Sequence, residues 1–141
     1  MKRVAIAALA LLALPAAAGV TITDAWVRGT VPSQNTTGAF FTITSTEKAK
    51  LIAVATPIAG MAQIHKTENH GGTMHMAEVR TIDLPANQAV PLQPGGYHVM
   101  LMALKGPVKA GTKVPIKLLI EDAKGKRTTV EVEAGVKPLG E

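Results

Sequence analysis

Beyond an apolar opening, apolar and polar residues alternate with the period of two that half-buried strands require. Val20 to Val27, Gly38 to Ser45 and Leu51 to Thr56 are rich in β-branched and aromatic residues. Ala62 to Lys66, Met76 to Ile82, Gly96 to Leu104, Val114 to Glu121 and Arg127 to Glu133 follow the same rule. Turn signals separate them at Val31-Pro32-Ser33, Thr56-Pro57, Gly71-Gly72, Pro94-Gly95-Gly96, Gly106-Pro107 and Lys124-Gly125. No stretch sustains a helical period beyond a turn or two. Seven or eight short strands at this spacing predict an all-β, single-domain Greek-key sandwich or barrel. Its last two strands should form a closing hairpin around Ala123-Lys124-Gly125.

The first twenty residues, MKRVAIAALALLALPAAAGV, are patterned differently. A basic start at Lys2 and Arg3, an apolar run from Val4 to Leu14 and the small residues Ala16-Ala17-Ala18 have the layout of a secretory signal peptide. Residues 1–18 are expected to be removed, leaving 19–141 as the functional domain. The apolar run is short for a bilayer span, and no later stretch is longer, so no membrane insertion is expected after cleavage. The short, alanine-rich form points to the bacterial periplasm.

Charge and cysteine content narrow the function. The net charge is +5, and removing Lys2 and Arg3 lowers it to +3. The remaining lysines are scattered rather than gathered into a stripe, which argues against nucleic-acid binding. There is no cysteine. Disulfides, thiolate metal sites and cysteine nucleophiles are therefore excluded, and the fold must rest on its core.

One strand breaks the polar-out rule. In Gly95 to Met102, GGYHVMLM, residues Tyr97, Val99 and Leu101 share one face while His98, Met100 and Met102 share the other. A histidine and two thioethers occupy the face that should meet water. Apart from the initiator, all five methionines and all four histidines lie between positions 61 and 102, in GMAQIHKTENHGGTMHM and YHVMLM. Imidazoles with thioethers and no thiolate favour Cu(I) over harder cations. If Asn69-His70-Gly71-Gly72 is the loop of a regular hairpin, Glu68 faces Thr73 and His65 faces Met76. Directly opposed side chains lie about 4.5–5.5 Å apart at Cβ, close enough to share one metal ion. His98 and Met100, two apart, share a face as well. Bringing the two pairs together makes a two-His, two-Met site, subject to register.

The spacing itself, His65, ten residues, Met76, twenty-one residues, His98, one residue, Met100, is H-x10-M-x21-H-x-M. It is similar to the motif of the periplasmic copper chaperones called PCu(A)C. The segments DAWVR, TGAFFTI and LQPGGYHVMLMAL also resemble that family, and the likeness spans the chain after residue 18. The resemblance implies a cupredoxin-like β-sandwich with an exposed Cu(I) site formed by His65, Met76, His98 and Met100. It also implies delivery of copper toward the CuA centre of cytochrome c oxidase, with a Sco-type thiol protein as a working partner. Many relatives have methionine where this chain has Thr67, and the tail lacks the His/Met-rich extension that some relatives use for Cu(II).

Other residues receive plainer readings. Trp26 and Met61 are assigned to the core, Tyr97 to packing, and Gly95-Gly96 to the turn that opens its strand. Met102 is read as packing or shielding. Met74 is either an accessory ligand or an ordinary thioether. His75 should point away from Met76, and His70 should sit at the loop tip. The dispersed acids and the absence of a nucleophile–base pattern argue against an enzyme. A blue-copper electron carrier lacks its cysteine, and a start at Gly19 offers no N-terminal histidine. The alternatives kept open are a passive copper buffer and a metal-free interaction module.

Overall fold

The computed structural model describes residues 19–138. The expected signal segment lies outside them. Ten strands form: β1 (Val20–Arg28), β2 (Thr36–Ser45), β3 (Ala49–Ala55), β4 (Ala59–His70), β5 (Thr73–Val79), β6 (Ile82–Leu84), β7 (Val90–Leu92), β8 (Tyr97–Leu104), β9 (Lys113–Asp122) and β10 (Arg127–Lys137). The all-β expectation holds. The eight anticipated segments each appear, with two changes. Met76 to Ile82 is two strands, β5 ending at Val79 and β6 starting at Ile82, and Val90–Leu92 adds a short one. Three residues are too few for a visible alternation, so β7 was silent in the pattern.

The strands are hydrogen-bonded in the order β5-β4-β8-β2-β1-β10-β9-β3-β6, with β7 also on β2. This long sheet folds over one core. Phe41, Ile43, Val99 and Leu101 from its middle pack in the same apolar cluster as Leu51, Ile82, Leu84, Ile116 and Leu118 from its far end. β9 and β10 form the expected hairpin, pairing from Arg127↔Glu121 to Gly135↔Lys113. Its turn is held by Asp122, whose Oδ1 accepts from the backbone N–H groups of Lys124 and Lys126, each at 2.9 Å. β10 then continues past Glu133 to pair in parallel with β1. Part of the tail thus has a structural role.

A bulge in β1 corrects the reading of Trp26. Thr23 pairs with Thr42 but Trp26 with Phe40, so β1 carries one extra residue, and Asp24 takes φ 55° there. Without the extra residue, the period of two that buries Val20 would carry Trp26 inward as well. With it, Val27 fills the core position and Trp26 turns outward. Its ring stacks on Phe40 at 4.5 Å between centroids, with Lys137 Nζ 4.6 Å from the indole centre.

Strand β5 lies at one end of the order and is exposed along almost its whole length. The last three residues of β4, Glu68 to His70, are exposed as well. The β4–β5 hairpin therefore projects beyond the core with both faces in solvent, so its side chains answer to chemistry rather than packing.

Candidate metal centre

The hairpin turn decides which side chains meet. Gly71 and Gly72 both take positive φ, 62° and 90°, and form a two-residue turn by themselves. Asn69 Oδ1 accepts from Gly72 N at 2.9 Å and braces it. His70 is consequently a strand residue paired with Thr73, not part of a four-residue loop. The register moves by two: Met76 faces Thr67, and His65 faces Glu78. Direct opposition of His65 and Met76 is thus corrected. A shift of two preserves the side of the sheet, however, and His65 and Met76 remain diagonal neighbours on one face.

The other flank of β4 completes the arrangement. β8 pairs with it so that His65 opposes His98, Gln63 opposes Met100 and Met61 opposes Met102. His65 and His98 have ring centroids 5.9 Å apart. The four residues of the spacing motif accordingly stand on one side of three adjacent strands. Met76, His98 and Met100 line a cavity of about 320 Å³ with Arg28, Gly38, Phe40 and Thr67. Met76 is 55% exposed, whereas His98 is buried.

The imidazoles are held with one nitrogen each left over. His98 donates from Nδ1 to the Gly96 carbonyl at 3.2 Å, leaving Nε2. His65 donates from Nε2 to Gln63 Oε1 at 2.9 Å, leaving Nδ1 buried without a partner. An orphaned buried nitrogen is costly unless something fills its lone pair. Gln63 is itself oriented by its amide, which donates to Met61 Sδ at 3.5 Å. Such outer hydrogen bonds fix the tautomer and aim the ligand nitrogen. The pKa of His65 is lowered, first by burial, then by the neighbouring His98, with Glu78 pulling the other way. Burial thus favours the neutral ring of His65, the form that binds metal. Among the described residues no three His, Asp or Glu side chains stand arranged around a metal ion. A centre here must draw on thioethers, and those choose a soft ion.

One residue, Met61, is assigned elsewhere by sequence. Met61 is not core but 51% exposed on the His65 face, and Met74, 59% exposed, shares the face of Met76. Met102 lies beside them, partly buried. His75 lies on the opposite face, as its place in the alternation implied. The supporting residues Gln63, Gly38 and Phe40 went unread. Gln63 did carry a signal, being two residues before His65 and so on its face. A Cβ on Gly38 would meet Phe40 Cζ at 2.9 Å, and the Phe40 ring sits 6.3 Å from His98. Only the folded sheet brings those together.

The described residues thus form an all-β domain that gathers imidazoles and thioethers on one face. The model of the family described as "Putative lipoprotein LpqE-like" matches residues 20–134, and the chain belongs to that family. A relative from Leifsonia xyli subsp. xyli, "Putative lipoprotein Lxx21020", is 32% identical over 82% of this chain and 70% of its own length. Among solved structures, apo-DR1885 from Deinococcus radiodurans is 36% identical, with TM-score 0.63, covering 97% of this chain and 93% of its own. CuI-DR1885 is 35% identical, with TM-score 0.59 over 82% and 76%. The apo PCuAC domain of PmoF1 shares the fold, with TM-score 0.68 over 85% and 94%, at 22% identity. The PCu(A)C resemblance and the cupredoxin-like fold it implied are both borne out.

Proposed function

We propose that this chain is a periplasmic copper metallochaperone that binds one Cu(I) through His65, Met76, His98 and Met100. It carries the ion toward the CuA centre of cytochrome c oxidase, with a Sco-type thiol protein as partner. The observation that carries this reading is the orphaned Nδ1 of His65 beside His98, on the face where Met76 and Met100 stand. Two imidazoles and two thioethers suit a soft monovalent ion and offer little to Mg²⁺ or Ca²⁺. A related structure is that of CuI-DR1885, which supports Cu(I) as the cargo. The relatives described as lipoproteins support a location in the cell envelope outside the cytoplasm.

The same geometry serves release. Met76 on the open edge strand is the accessible ligand, and an incoming thiolate reaches the ion from that side. Ligand exchange then proceeds by replacing thioethers one at a time while the imidazoles, fixed by Gln63 and Gly96, hold their places. The domain acts as a carrier and not as a catalyst.

Anaerobic Cu(I) titration against a chromophoric chelator tests the site. One equivalent should bind, and Met76→Ala and His98→Ala should each weaken it tenfold or more, since even outer partners of a metal ligand are worth roughly 10–100-fold. Binding indifferent to both changes would overturn the assignment. Transfer to an isolated CuA domain then separates a chaperone from a buffer.

A further inference from the structure

The β4–β5 hairpin has a second face, and its chemistry differs from the first. The alternation Met74-His75-Met76 sends both thioethers one way and the imidazole the other. On the imidazole side His75 directly opposes Glu68, and His70 follows two residues later on the same face. The rings of His70 and His75 lie 4.9 Å apart between centroids. His70 Nε2 lies 3.1 Å from Glu68 Oε1, and Lys66 Nζ lies 3.5 Å from the other carboxylate oxygen. These bonds hold Glu68 below the usual carboxylate range, the His70 contact contributing most.

We propose that Glu68, His70 and His75 form a second metal site, at the hairpin tip, that takes Cu(II). Two imidazoles and a carboxylate are borderline-to-hard donors, and among first-row divalent ions Cu(II) binds such sets most strongly. The set contains no sulfur. It is separated from the thioether centre by the sheet itself, so the two faces of one hairpin sort the two oxidation states of one metal. The three side chains do not stand preassembled as a cage. All three are exposed, and rotating χ bonds at solvent-facing positions lets them close on an ion. Lys66 must yield its contact with Glu68 on binding, which limits the affinity of this site.

Cu(II) titration of the protein, followed by electron paramagnetic resonance, tests the proposal. One equivalent should give a tetragonal spectrum with nitrogen hyperfine structure. His70→Gln and His75→Gln should each weaken Cu(II) binding about tenfold or more while leaving the chelator-monitored Cu(I) titration unchanged. These positions are exposed on an edge hairpin, where substitutions leave folding intact. Cu(II) binding that survives both changes and disappears with His65→Gln assigns the ion to the other face and overturns the proposal. Displacement of Cu(II) by stoichiometric Zn²⁺ overturns the choice of metal. Failure of the Cu(I) centre shows separately, as loss of response to Met76→Ala.

Discussion

Adjacent residues of β8 should fail in opposite ways. Leu101 is fully buried and pairs with Thr37 on one side and Ala62 on the other. Met100, one residue earlier, is partly exposed and lines the cavity on the other face. Leu101→Ala removes three carbons, about 2.4 kcal/mol of transfer free energy, and leaves a cavity in a closed core. The total should be about 3 kcal/mol, within the range for buried leucines. For a domain of this size that lowers Tm by about 12 °C. Met100→Ala removes a side chain from an open wall and should cost about 1 kcal/mol or less. Copper should read the reverse. Met100→Ala weakens Cu(I) by about tenfold or more, whereas Leu101→Ala, still folded at low temperature, keeps near wild-type affinity. Thermal melts of the apo proteins followed by circular dichroism, paired with Cu(I) competition at 15 °C, measure both. Equal destabilisation by the two changes, or copper loss confined to Leu101→Ala, would refute the register on which the site stands.

Acid should destabilise the apo protein through His65. Its pKa lies below the ordinary histidine value of 6.5, chiefly because burial disfavours the charged ring, so the unfolded chain binds the extra proton more readily. Stability from this group is present above pH 6.5 and declines as pH falls through 6.5 toward the folded pKa. Urea midpoints at pH 7.5 and 5.5 should differ for wild type and differ less for His65→Gln; an unchanged difference removes His65 as the cause. Ala103 holds φ 54° at the end of β8, a conformation costing about 1 kcal/mol for a residue with a Cβ. Ala103→Gly should therefore raise Tm by a few degrees, and a fall in Tm would show that the alanine is not strained.

The alternation in GGYHVMLM was enough to place His98 and Met100 opposite Val99 and Leu101, because side-chain direction in a strand depends only on parity. Parity also survived the misread hairpin. Taking Asn69 and His70 as loop displaced the register by two, which changed the partner of His65 from Glu78 to Met76 without changing its side of the sheet. What parity cannot reach is any event that adds a residue or selects a neighbour. The bulge at Asp24 turned Trp26 from the core to the surface, and nothing local to DAW announces a residue that pairs with no one. Met61 looks like an ordinary core thioether until β8 lies beside β4 and leaves that face open. The approach of His70 to His75 likewise required the glycine pair to close the turn alone. The sequence by itself determined the all-β class, the face of each motif residue and the donor chemistry, since those follow from local period and side-chain type. Which strands lie side by side, and hence which nitrogen is left without a partner, is set by long-range pairing that only the folded sheet decides.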